Sequence, residues 1–266
     1  PELGGADAVF ETAASPDVLL PRLLKGEIDI GVLPPNVAAK TYTAGGGAVL
    51  AAAVCGNGML SVLSSDLSIN SMDDLAGRRI TVAGQGSTPD YLLRYLLAHA
   101  GVEAELDYSI PTAEIAAALA AGKIETACVP EPFATIACAR SADIARVIDV
   151  QEAFAAADGG PYPMSLLVVR REFAQAYPDT VRAFLAAYRE AIDWTNTHPE
   201  EAGALVEKHT LGLQAAVAAQ AIPNAAFVYS DGTDMRESVE TLLRVFLSFA
   251  PDSVGGVLPD AGFYFN

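Results

Sequence analysis

The sequence predicts an α/β protein built as two similar lobes, and three observations carry that expectation. The first is a repeat: Leu24-Lys25-Gly26-Glu27-Ile28-Asp29-Ile30-Gly31-Val32-Leu33-Pro34-Pro35 returns, without a gap, as Ala120-Ala121-Gly122-Lys123-Ile124-Glu125-Thr126-Ala127-Cys128-Val129-Pro130-Glu131, an offset of 96 residues. The second is that the match extends outward, with Val18, Leu19 and Leu23 answered by Glu114, Ile115 and Leu119, and residues 48–54 by 144–150. The third is the alternation of apolar strand patterns with helical ones in each copy, the pattern of a mainly parallel sheet covered by helices. Two copies are too few for a solenoid. The expectation is therefore two lobes facing one another across a cleft, and 266 residues suffice to build both cores.

Each element follows in order. Residues 8–13 read as a strand; Ser15 as N-cap, Pro16 in the first turn and Gly26 as a stop define a helix. Residues 28–33 are a buried strand, 36–43 a short helix, the glycines 45–47 a loop, and 48–54 another strand. Residues 59–63 form a strand, after which Ser71 caps a short helix that Gly77 stops. The second copy opens with a strand at 79–83, a loop from Gly84 to Pro89 and a helix at 90–100, and runs through the repeated region to about Val150. A strand at 165–170 returns the chain to the first lobe. Beyond it everything reads as helical: 178–197, with Val181, Phe184, Leu185, Tyr188, Ile192 and Trp194 at core spacing, then 199–209, 213–221 and 234–249. The tail 257–265 is too apolar for a free end and is expected to pack on a lobe.

Bulk properties exclude several functions. Net charge is −17 with only 18% charged residues, and the Lys/Arg residues form no cluster beyond Arg78-Arg79 and Arg170-Arg171, so the basic footprint that nucleic acid requires is missing. Cys55, Cys128 and Cys138 lack metal-ligand spacing and read as buried free thiols. No apolar run reaches transmembrane length. His99, His198 and His209 fall in helical patterns, and no nucleophile, metal or phosphate-loop motif is present; no catalytic residue, metal or cofactor is expected. Subtracting 96 from the strand at 79–83 gives positions before Pro1. The repeat thus predicts a further strand and helix ahead of the first lobe, together with any export signal, which intact-mass measurement of the full gene product would check.

In α/β lobes ligands bind beyond the carboxyl ends of strands, where loops meet helix N-termini. Four segments qualify. Gly84-Gln85-Gly86-Ser87-Thr88-Pro89-Asp90-Tyr91 offers backbone approach at Gly86, hydroxyls at Ser87 and Thr88, and a ring at Tyr91, although a plain helix cap explains Ser/Thr-Pro as well. The repeat's two strand ends supply Asn36, Glu131 and Phe133: an amide, an acceptor and a stacking face. Alternatively, those prolines simply end strands and Glu131 favours a helix start. The fourth segment is the crossover, Asn57-Gly58-Met59 with Tyr162-Pro163-Met164, where an aromatic lines the cleft or packs in the core.

Taken together, Gly26-Glu27-Ile28-Asp29-Ile30-Gly31 with Pro35-Asn36, Asn70-Ser71-Met72-Asp73-Asp74-Leu75-Ala76-Gly77, the Gly84–Tyr91 segment, Pro130-Glu131-Pro132-Phe133 and Ile222-Pro223-Asn224 resemble the substrate-binding proteins of ABC importers, in the branch similar to nitrate, sulfonate and thiamine-precursor binders. The resemblance implies a type II periplasmic-binding fold: lobe 1 from 1–58 and 168–266, lobe 2 from 64–162, and hinge strands at 59–63 and 163–167. It implies a small-molecule ligand, a membrane permease as partner, a monomer, and a periplasmic or lipid-anchored location. By position it places Asn36, Gly58, Ser87, Thr88, Tyr91 and Glu131 around the ligand. None of the four segments carries Lys or Arg, so a neutral, aromatic or partly cationic ligand suits the acceptor Glu131 better than a sulfonate. The same fold resembles chorismate-derived dehydratases of menaquinone synthesis, the alternative reading, and pyrimidine-precursor synthases, whose cysteine-rich motif is lacking here.

Overall fold

A computed structural model describes residues 7–13, 15–158 and 160–265. In chain order the elements are α1 (Pro16–Leu24), β1 (Ile30–Leu33), α2 (Pro35–Ala44), β2 (Val49–Asn57), β3 (Leu60–Ser64), β4 (Arg79–Val82), α3 (Thr88–Ala100), β5 (Glu105–Asp107), α4 (Thr112–Ala120), β6 (Thr126–Pro130), α5 (Phe133–Arg140), β7 (Ala145–Asp149), α6 (Val150–Asp158), β8 (Pro163–Arg170), α7 (Arg171–Ala176), α8 (Pro178–Thr197), α9 (Pro199–Lys208), α10 (Ala215–Ala221), β9 (Phe227–Ser230) and α11 (Gly232–Phe249). They divide into two compact units. One holds the described residues up to Asn57, then Pro163–His198 and the residues from Phe227 on; the other holds Gly58–Tyr162 and Pro199–Ala226.

The repeat is a structural fact at the level of single hydrogen bonds. Where α1 ends, Gly26 N donates to Leu23 O and Glu27 N to Arg22 O; where α4 ends, Gly122 N donates to Leu119 O and Lys123 N to Ala118 O. Gly26 and Gly122 take φ of +75° and +65°, a left-handed turn that any Cβ would strain, and so each helix stops and turns into a strand at the same step.

The two sheets extend the equivalence. The second unit's sheet has the order β5-β4-β6-β3-β7, the first unit's β1-β8-β2-β9. β1 matches β6 and β2 matches β7 in sequence, and in each sheet an antiparallel strand from elsewhere in the chain, β8 or β3, lies between the matched pair. That insertion corrects the expectation of mainly parallel sheets: β5-β4-β6 are parallel, but every pairing in the first unit's sheet is antiparallel.

Three further expectations change. Residues 8–13 are not a strand, and Val9 and Phe10 are 85% and 74% exposed. Their counterpart β5 is held by β4, through Ile80↔Leu106 and its neighbours, and no equivalent of β4 lies beside β1 among the described residues. The stretch after β8 is not wholly helical, because β9 pairs antiparallel with β2. Finally, residues 199–226 belong to the second unit rather than the first, where α10 packs on α5 and α9. Of the expected hinge stretches, 163–167 lies within β8 and 60–63 within β3, with Met59 just ahead of it, and the chain passes between units at Asn57-Gly58, Tyr162-Pro163, His198-Pro199 and Ala226-Phe227.

Each unit has its own core. Leu50, Ala53, Leu167, Val169, Val181, Leu185 and Ile192 form one; Leu63, Ile115, Leu119, Ala127, Val129, Ala134 and Ile144 form the other. The tail packs on the first unit, as its apolarity requires: Phe265 N donates to Ala51 O, Tyr42 Oη donates to Asp260 at 2.6 Å, and Arg171 donates to Gly262 O.

Candidate functional site

In the second unit β4 and β6 are parallel neighbours, with Val82 opposite Cys128. Their carboxyl ends therefore lie at one end of the sheet, and the helices that follow, α3 and α5, start there. Four of the expected residues, Gly86, Ser87, Thr88 and Tyr91, gather at the start of α3; Glu131 and Phe133 sit at the start of α5.

The α3 start is organised from within. Gly84 and Gly86 take φ of +79° and +71°, which lets the loop fold back. Ser87 spends its hydroxyl on that loop, donating to Ala83 O and Gly84 O, and makes no cap to the helix. Asp90, 2% exposed, accepts from Gly86 N at 2.8 Å and from Tyr108 Oη at 2.6 Å, and is ion-paired with Arg94, whose Nε lies 3.2 Å away. Burial and this carboxylate push the Tyr108 hydroxyl well above its ordinary value. Thr88 is 4% exposed, and its Oγ1 has no hydrogen-bond partner. Tyr91 is half-buried, with the Arg94 guanidinium 5.5 Å from its ring centroid.

At the α5 start the Glu131 carboxylate is fully engaged. Oε2 accepts from Thr135 N at 3.1 Å, inside the first turn of α5, and Oε1 accepts from Arg146 of β7 at 2.5 Å, while Arg146 also donates to Thr135 Oγ1 at 2.8 Å. The Glu131 side chain is 3% exposed, so it acts as an internal cap and counter-ion. This arrangement matches the alternative expectation, that Glu131 favours a helix start, and both oxygens of the acceptor expected for a neutral, aromatic or partly cationic ligand have partners within the unit. Phe133 packs against the unit's core cluster. Tyr162 lies wholly inside the same unit, edge-on to Phe154 at 5.2 Å, with its hydroxyl unpartnered. Beside it Gly58 donates its amide to Gln151 Oε1 at 3.0 Å, and a side chain at Gly58 would overlap the Tyr162 ring.

In the first unit β1 and β2 flank β8, and Leu33 and Val54 both pair with Leu166. Their carboxyl ends share an end of that sheet. Asn57 closes β2 opposite Pro163, and Asn36 stands in the first turn of α2, after Pro34 and Pro35. Asn36 is 5% exposed and its Oδ1 has no partner. Prolines at N-cap and N1 leave that helix start with neither a side-chain cap nor an acidic residue.

Asp90, Tyr108, Arg146 and Gln151 were not singled out from sequence. Asp90 had a signal, since an acid in a helix's first turn complements the dipole. Arg146 had none, because its nearness to Glu131 arises only when β3 pairs with both β6 and β7. Among the described residues no group of three or more His, Cys, Asp and Glu is placed to hold a metal ion, and no helix is long and apolar enough to cross a membrane.

A model of the NMT1-like family matches residues 4–208. No curated protein is significantly similar to the chain in sequence. Among solved structures, an ABC transporter protein from Parabacteroides distasonis is 28% identical with a TM-score of 0.84, over 96% of this chain and 87% of that one. The periplasmic aliphatic sulphonate binding protein SsuA from Escherichia coli is 20% identical with a TM-score of 0.73, over 90% and 81%. A desulfurization enzyme, DszB, shares the fold more distantly, with 17% identity and a TM-score of 0.57 over 82% and 78%, so the fold also carries catalysis.

Proposed function

Because the chain belongs to the NMT1-like family and has the α/β fold of type II periplasmic binding proteins, we propose that it is the extracytoplasmic solute-binding component of an ABC importer. On this reading it closes its two units on a small organic molecule and delivers it to a membrane permease. The observation that carries the proposal is the likeness of nearly the whole chain to an ABC transporter protein at 28% identity. The build of each unit supports it: strand ends open onto helix starts that carry polar groups, while two of the three thiols are buried. Burial pushes the thiols of Cys55 and Cys128 up to about 12, where neither is a nucleophile at neutral pH.

Ligand gain would act by population shift, stabilising whichever state it contacts better. Reconstitution tests the reading: the loaded protein should stimulate ATP hydrolysis by its permease in lipid nanodiscs, and the solute should cross unchanged. Chemical conversion of the solute by the protein alone would instead place it with the enzymes of this fold.

A further inference from the structure

The first unit has a cavity at the other end of its sheet, away from the carboxyl ends of β1 and β2. There β8 finishes beside the start of β2: Arg170 pairs with Val49, and Arg171 N donates to Ala48 O. The loop at 45–47 and the tail border a cavity of about 360 Å³, whose lining includes Tyr42, Gly47, Arg171, Val257, Leu258 and Asp260. All of these belong to one unit. We infer that this cavity is a second binding site, separate from the strand ends and independent of which solute they take, and that its ligand is a small zwitterion, an α-amino acid with an apolar side chain.

The cavity presents two opposite charges that do not meet. Arg171 donates to two neutral acceptors, Gly47 O and Gly262 O, and has no ion-pair partner among the described residues. Asp260 accepts from Tyr42 Oη at 2.6 Å and from Gly262 N at 2.8 Å; these bonds hold its carboxyl below the ordinary value, and Arg171 adds to the effect only through space. Asp260 is therefore an anion at neutral pH. The two charges flank one residue, since the Arg171 guanidinium lies 5.8 Å from the Tyr42 ring centroid and Asp260 sits on the Tyr42 hydroxyl. α2 ends at the same wall with no basic residue in its last turn, so its terminal carbonyls add negative potential on the Asp260 side.

This arrangement selects by charge. A lone anion drawn to Arg171 meets Asp260 and the helix end, and a lone cation drawn to Asp260 meets Arg171. A molecule carrying both charges a few bonds apart puts its carboxylate on the guanidinium and its ammonium on the carboxylate, each a charge-assisted contact. The volume is at the small end of the roughly 300–1,000 Å³ of small-molecule sites. The Tyr42 ring, Leu258 and Val257, which is 54% exposed, offer apolar surface to a side chain. Such a ligand would tie the tail to the 45–47 loop.

The test is calorimetry with L-valine, L-leucine and L-methionine on the intact protein, paired with amide hydrogen exchange. Each amino acid is compared with its N-acetyl form, which lacks the ammonium, and its carboxamide, which lacks the carboxylate. At least one free amino acid should bind about tenfold or more tighter than both capped forms, and should slow exchange in 42–47 and 257–265. Asp260→Asn and Arg171→Gln keep a hydrogen-bonding group and remove the charge, so each should weaken binding about tenfold while the variants still melt near the parent. The exchange footprint is read on the parent protein and decides even where a variant is unstable. Capped forms that bind as well as the free amino acid would overturn the ligand class. Protection at 84–91 or 131–135 instead would place the amino acid at the strand ends and overturn the second site while leaving solute binding standing. No binding by any of the three would overturn the inference and leave the solute-binding reading untouched.

Discussion

Glu131 and Arg146 are 15 residues apart in sequence and 2.5 Å apart in space. Their pairing has a consequence for stability. Replacing Arg146 with Met leaves a carboxylate with 3% side-chain exposure facing no cation, and should lower unfolding free energy by about 2–4 kcal/mol, somewhat under the range for a wholly buried pair because Arg146 is partly solvated. Urea denaturation measures this, and adding Glu131→Gln should recover much of the loss. Tyr162 gives the opposite case. Its hydroxyl is buried without a partner, so Tyr162→Phe should be neutral or stabilising, whereas Gly58→Ala drives a methyl into the same ring and should cost about 1–3 kcal/mol. The thiols are a third test at this scale: only Cys138, the one not fully buried, should react with a maleimide in the folded protein, and all three once unfolded. The geometry of the α3 start was legible because strand-end and helix-start chemistry is local: Gly86, Ser87 and Thr88 are where the Gly-Gln-Gly-Ser-Thr-Pro run places them. The helix-start role of Glu131 was among the expectations, but its pairing with Arg146 was not legible, since that partner arrives on another strand.

Elements divide along the same line between local and long-range information. The corners after α1 and α4 could be read from Gly26 and Gly122 because a left-handed stop is written in one residue. β9 could not, since Phe227–Ser230 is four residues between helices and becomes a strand only because the edge of β2 accepts it. Nor could the placement of α9 and α10, which is fixed by where α10 packs. There Gly203 lies so close to Ala215 O and Ala219 that a side chain has no space. Gly203→Val should therefore separate the two helices, costing about 1–3 kcal/mol, with the loss seen as faster amide exchange in α9 and α10. The tail offers a contrast. Tyr42→Phe removes the hydrogen bond to Asp260 that holds 257–265, and exchange at the Phe265 amide should rise without a change in global stability beyond about 1 kcal/mol.

At the scale of the molecule, the repeat, the family match and the fold agree on a protein assembled from two equivalent α/β units, each offering polar helix starts at one end of its sheet. If the proposed function holds, small-angle scattering should report a smaller radius of gyration with solute than without it, and an unchanged radius would count against closure. The central claim is that the protein binds a solute and lets it go intact. Its most direct test is calorimetric titration with the compound that most raises the melting temperature, followed by mass spectrometry of that compound after release. The account predicts saturable binding at one site per chain and recovery of the compound unaltered; recovery of a different compound, or the absence of any saturating compound, would contradict it.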